Sequence, residues 1–231
     1  MKFTNRADHI AKLPHTALTV RYGDEGRAAT LFTGAALPGL PERGTARVKP
    51  GGTLTADIGV AVPAPAAGAR ATVTAEVTKE GMAQAENLFF EGNLPGHAPA
   101  TSPAFSSTGP AAGTTVPLGT WSKSGLRLSP ISLTQGDGRG RQAQLELSVA
   151  NNTADPKTGM NISLRVLSGD ALRQIASITP SLGYKDAPIA PHRTATTLIR
   201  FTIPDTAVPG PITVETSATG GTRTTFGGTL R

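Results

Sequence analysis

Cysteine is absent from all 231 residues. That excludes disulfides, thiolate zinc sites and cysteine nucleophiles. It leaves the compartment open, because an oxidising space permits disulfides without requiring them. Aromatic residues make up only 4% of the chain, so any core must be built from Val, Ile, Leu and Ala. No stretch approaches the roughly 20 apolar residues of a membrane-spanning helix. The opening stretch, MKFTNRADHIAKLPHTALTV, also lacks the apolar run of about 7–15 residues that a secretory signal needs. Arg6, Asp8, His9 and Lys12 interrupt it. The chain is therefore expected either to work without Sec export or to be cut from a longer one.

Negative charge is scarce, and unevenly so. Residues 1–97 hold 10 Lys/Arg against 9 Asp/Glu, residues 98–117 hold none, and residues 118–231 hold 12 against 7. Of the net +6, residues 118–231 thus hold +5. It fits either a solvated surface or attraction to a polyanion.

Turn residues are abundant. Gly (27) and Pro (19) make one fifth of the chain, against a usual share of about 12%. Thr and Val, which suit pleated and half-buried surfaces, are frequent. This composition reads as all-β with many turns.

The chain also repeats itself. VKPGGTLTADIGVAVPAPAAGARATVTAEV (48–77) aligns without a gap on IAPHRTATTLIRFTIPDTAVPGPITVETSA (189–218), 141 residues later. Eight positions are identical, among them Pro50/Pro191, Thr53/Thr194, Pro63/Pro204 and Val73/Val214. Each copy reads as a strand that ends at a Pro, a connection of about eight residues, and a second strand of period two. In the first copy Leu54–Val62 is expected to be one strand. Pro63 ends it, because proline cannot donate to a ladder. Gly51 aligns with His192, which argues for a loop position.

The second copy has a fuller front. GLRLSPISLTQ reads as one or two strands, and GDGRGR as a hairpin turn. QAQLELSVANNT points Ala143, Leu145, Leu147 and Val149 inward, and MNISLRVLSG does the same with Ile162, Leu164 and Val166. ALRQIASI fits a short helix or an irregular strand. The first copy is shorter at its front, and either lacks a strand or uses the N-terminal arm as one. Residues 98–117, rich in Pro, Gly, Ser and Thr, read as a semi-extended linker. The expected organisation is all-β. Residues 1–97 form an arm and a first immunoglobulin-like β-sandwich, 98–117 a Pro/Gly-rich linker, and 118–231 a second sandwich.

The series GLRLSPISLTQ, RQAQLELSVANNT, ISLRVLSGD and IAPHRTATTLIRFTIPD resembles the small immunoglobulin-like domains of bacterial surface and secreted proteins and of phage particles. The resemblance covers 118–231, and only 48–77 of the first half. It implies a fold and a module type. The chain departs from that group in having no cysteine pair and no lipobox.

Chemistry-bearing constellations are missing. His9, His15, His97 and His192 have no partners at metal-ligand spacing. No G-x-S-x-G, P-loop or G-x-G-x-x-G before a helix occurs. Neither a cofactor nor an enzymatic role is expected. Asn151 and Asn161 lie in N-x-S/T sequons. Leu88, Phe89 and Phe90 are expected to pack against the first domain. The expected function is that of a structural or binding subunit of a surface layer, an appendage or a virion-like particle, so its expected location is the virion or cell surface. Its expected partners are other protein subunits, contacted through sheet edges and the arm. The alternative is a basic accessory domain that binds nucleic acid or cell-wall polymer weakly. The candidate interaction residues are Phe3, Ile10 and Leu13 in the arm, Phe105 in the linker, and Trp121, Arg139 and Arg141 in the second half.

Overall fold

The computed structural model describes residues 1–31, 46–78, 85–96, 114–133, 140–158, 161–178, 188–204, 207, 209–218 and 223–230. Apart from one 3-10 turn at Ala64–Ala66, its regular elements are strands. Ten precede residue 100: β1 (Lys2–Thr4), β2 (Ala11–Lys12), β3 (His15–Tyr22), β4 (Arg27–Ala28), β5 (Thr30–Leu31), β6 (Arg47–Val48), β7 (Thr53–Thr55), β8 (Val60–Ala61), β9 (Arg70–Thr78) and β10 (Glu86–Asn93). Nine follow: β11 (Val116–Pro117), β12 (Leu126–Leu128), β13 (Ser132–Leu133), β14 (Arg141–Ala150), β15 (Ile162–Ser168), β16 (Arg173–Ile178), β17 (Thr194–Ile203), β18 (Gly210–Ala218) and β19 (Arg223–Leu230). The chain divides into two compact units, Met1–Gly23 with Ala28–Ala100 and Asp24–Arg27 with Thr101–Arg231.

The second unit is a β-sandwich. In one sheet β12 and β13 both pair with β14, and β14 pairs with β17; the other has the order β11-β19-β18-β15-β16. Period-two patterning faces the apolar side chains of both sheets inward. Leu126, Leu128, Leu145, Leu147, Ile199 and Ile203 meet Ile162, Leu164, Val166, Ile212, Val214 and Phe226 in one buried cluster. Removing each such side chain from water contributes roughly 1.5–3 kcal/mol. The segment ALRQIASI contributes β16, an irregular strand whose pairing with β15 shifts register between Val166 and Leu167. The GDGRGR turn lies mostly outside the described residues, as does residues 97–113 of the region read as a linker.

The first unit holds an antiparallel sheet of order β10-β9-β3 and three two-stranded pairs, β1–β7, β2–β6 and β5–β8. The N-terminal arm is thus used as strands. Its buried apolar side chains are Leu13, Val20 and Val77 together with Ala56, Ala66, Ala69, Ala71 and Ala75. Alanine buries little area, so this interior is thin. The single strand expected over Leu54–Val62 is broken into β7 and β8. Asp57 and Gly59 stand where the second copy has Leu198 and Arg200, and both residue types weaken strands.

Register shows how far the repeat extends. In the first unit Val20 pairs with Val73, which pairs with Phe90. In the second, Val166 pairs with Val214, which pairs with Phe226. Phe90-x-Gly92-x-Leu94 therefore repeats as Phe226-x-Gly228-x-Leu230. Thr4 opposite Thr53 matches Ala150 opposite Thr194, and Ala11 opposite Val48 matches the bridge between Lys157 and Ile189. Gly51 and His192 both take the left-handed conformation, at φ 69° and 55°. The match reaches back to Met1, which corresponds to Leu147 by the pairing of Lys2 with Thr55 and of Ser148 with Thr196.

One polar device occurs in both copies. The Asn5 side-chain amide donates to the carbonyls of His9 and Val48, each at 2.8 Å, and its Oδ1 accepts from the N–H of Ala7. Asn151 donates to the carbonyls of Asp155 (2.8 Å) and Ile189 (2.9 Å), and its Oδ1 accepts from the N–H of Thr153. Each amide closes a loop on itself and ties it to the strand segment that opens the repeated stretch. A buried polar group satisfied in this way fixes register where small residues leave packing weak.

Candidate interaction surfaces

Two places concentrate side chains that could meet a partner. The first is a charged clamp within the second unit. Glu25 accepts from Arg127 at 2.8 Å and from Arg27 at 3.0 Å. Arg27 reaches on to Glu146 at 2.8 Å. The Thr196 hydroxyl donates to the Glu25 carbonyl at 2.6 Å and meets the Ser148 hydroxyl at 2.9 Å. The Arg127 guanidinium lies 4.8 Å from the centroid of the Trp121 ring, a cation–π contact. Gly26 has φ +63°, and a Cβ there would collide with the Thr194 carbonyl. The segment Asp24–Arg27 is thereby fixed to strand β17. Burial pushes the Glu25 carboxyl up, but the Arg127 and Arg27 guanidinium groups outweigh it and hold the carboxyl below its usual range. The group stays ionised near neutral pH and works as an anchor for arginines, not as a proton donor.

The second place is the edge of the first unit's sheet. Among the described residues no strand lies on the outer side of β10. Leu88 is 39% exposed and Phe90 51% exposed. This corrects the expectation that Leu88 and Phe90 pack away; Phe89, on the opposite face, is half-buried. The cause is visible in the second unit. There the matching Phe226 is fully buried. Strand β11 pairs with β19 in parallel at Phe226 and Gly227, with Val116 buried alongside. The opposite sheet adds Leu126, Leu128 and Leu145 to the same cluster. Among the described residues of the first unit, none matches these.

The remaining sequence-derived candidates fall as follows. Ile10 is 60% exposed, Phe3 is half-buried on β1, and Leu13 is buried. Leu13 is an interior residue because its N–H bonds the Ala46 carbonyl and seats the arm on the unit. Trp121 is half-buried under Arg127. Arg141 donates to the Ala207 carbonyl. Phe105 and Arg139 lie outside the described residues. His9 pairs with its neighbour Asp8 at 2.9 Å. Among the described residues no three His, Asp or Glu side chains converge on a metal-sized site. No described helix is long and apolar enough to cross a membrane. Asn151, although in a sequon, is 1% exposed. Sequence reading missed the clamp, because Glu25 lies 102 residues from Arg127. It also missed the exposed edge of β10.

No protein-family model matches the chain. No curated protein matches it either. Among solved structures it is similar to the crystal structure of red sea bream transglutaminase, at 10% identity and a TM-score of 0.30. The match covers 99% of this chain and 28% of that one, so the chain spans little more than a quarter of its length. That protein is an enzyme, and the expectation that this chain has no enzymatic role is withdrawn on that finding. At this score the likeness assigns no activity, substrate or site.

Proposed function

We propose that the chain is a structural or binding subunit that assembles with other protein subunits. It would belong to a surface layer, an appendage or a virion-like particle, and so be located at a virion or cell surface. In this reading the second unit is an immunoglobulin-like sandwich, and the first is a partial copy of the same plan. One observation carries the reading. The sheet of the first unit ends in a strand with Leu88 and Phe90 exposed, whereas Phe226, the match of Phe90 in the second unit, is buried beside strand β11. A sheet edge with apolar side chains beside it is a template for another chain.

The geometry favours this over polyanion binding. Arg27, Arg127 and Arg165 of the second unit are paired with carboxylates, and Arg141 with a backbone carbonyl. These four guanidinium groups are therefore already engaged within the fold, although the net charge is unchanged. Gradient fractionation of the protein from its source, followed by negative-stain imaging, tests the reading. Sedimentation with a regular particle or envelope fragment is the expected outcome. A free monomer of 23.6 kDa in every fraction would reject it.

A further inference from the structure

We infer that strand β10 is a self-association edge: two copies of this chain pair through Glu86–Asn93, antiparallel, about a two-fold axis at Phe89. The inference rests on the assembly reading and names the partner for one of its surfaces.

The occupant follows from the sequence of the strand. An isologous antiparallel pair opposes residue i to residue j of the second copy, and the register fixes their sum. With Phe89 opposite Phe89, Leu88 meets Phe90 and Phe90 meets Leu88. All four exposed apolar side chains then gather on one face. On the same face Glu86 lies opposite Gly92, so no carboxylate meets another. On the other face Glu91 lies opposite Asn87, an amide that can donate to it. Glu91 already holds Arg70 at 2.8 Å, which fixes its direction.

Neighbouring registers fail on physical grounds. Moving one residue toward the N-terminus opposes Glu86 to Glu91 twice, and moving one toward the C-terminus opposes Leu88 to Glu91. Either slip also turns the side chains of one copy to the wrong face. A two-residue shift in one direction sets Phe90 against Glu86. A two-residue shift in the other sets Leu88 against Gly92 and Phe89 against Glu91. Only the register about Phe89 pairs each of Leu88, Phe89 and Phe90 with an apolar residue while keeping like charges apart.

The second unit shows what such an edge accepts. At the position matching β10, strand β19 carries β11 along its outer side, with Phe226 buried. The pairing about Phe89 gives β10 a neighbouring strand in the same place, supplied by a second copy.

The absence of cysteine makes the test direct. Single variants Phe89→Cys, Leu88→Cys and Phe90→Cys are purified as the full chain and oxidised, and dimers are counted on non-reducing gels. Phe89→Cys is expected to cross-link to itself, while the other two remain mostly monomeric and cross-link with each other when mixed. Sedimentation equilibrium of the unmodified chain is expected to show a concentration-dependent dimer. Phe90→Glu, at an exposed position, is expected to weaken that dimer by more than about tenfold without loss of β-sheet circular dichroism, since it buries a charge in the contact. A chain that stays monomeric at all concentrations overturns the inference. So does a dimer indifferent to Phe90→Glu, or self-cross-linking at residue 88 or 90 in place of 89. Particles that still form in the native source with Phe90→Glu would overturn the β10 contact while leaving the assembly reading intact. The absence of any particle would remove that reading itself.

Discussion

Phe90 and Phe226 hold the same place in two copies of one strand arrangement, each paired to a valine of the preceding strand. Phe226 is fully buried, whereas Phe90 is half exposed. The side chain and the local backbone pairing are alike. What differs is the half of the sandwich opposite: β12 and the front of β14 are present in one unit, and among the described residues of the other no strand matches them. Burial of a strand residue is thus decided by the second layer, not by the strand that carries it.

The largest effect should come from truncating the two phenylalanines in turn. Phe226→Ala should cost about 3–5 kcal/mol, because the cavity lies inside a packed cluster. Phe90→Ala should cost under about 0.5 kcal/mol in the monomeric chain, as at an ordinary surface position. Urea denaturation of both variants measures the difference, and equal losses would break the comparison. Asn151→Ala and Asn5→Ala come next, each expected to cost about 2–3 kcal/mol by leaving buried carbonyls without a donor. Here the two units should behave alike, since the amides make matching bonds.

A smaller effect is expected at the clamp, which the first unit does not share. Arg127→Ala should cost about 1–2 kcal/mol through its lost bond to Glu25 and the Trp121 contact. Glu25 titrates below its ordinary value of 4.5 in the fold. Its contribution is therefore present above that value and is lost as pH falls through the lower folded value. Urea midpoints followed from neutral to strongly acidic pH should drop less steeply for Glu25→Gln. The smallest effects are at the shared left-handed position. His192→Gly should stabilise by about 0.5 kcal/mol, relief of strain exceeding the added entropy of the unfolded chain. Gly51→Ala should destabilise by about 1 kcal/mol. Thermal melts resolve the opposite signs.

The second unit was legible in the sequence because its strands alternate cleanly. Ala143, Leu145, Leu147 and Val149 face the core as their period dictates. The repeat was legible over 30 residues, where spacing is constant. It was lost outside them because the connections differ in length: Asn5 and Asn151 lie 146 apart, Phe90 and Phe226 only 136. Pairing register restores the correspondence, since it ignores loop length. The exposed edge could not be read from ENLFFEG, because apolar strand residues look the same whether or not a second layer covers them. The clamp was hidden for another reason. Charges 102 residues apart announce nothing in one dimension.

The Asn151 anchor also bears on how this protein can be made. Its sequon is complete, with Thr153 bonding Asn151 Oδ1 at 2.7 Å. A secretory eukaryotic host would present the unfolded chain to its glycosylation machinery before the amide is enclosed. A glycan on that nitrogen has no room at a side chain that donates to three carbonyls in the interior. Modified chains would stall unfolded and be degraded, and Thr153→Ala would rescue their yield. In such a host the residue that organises the fold would become the point at which it is blocked.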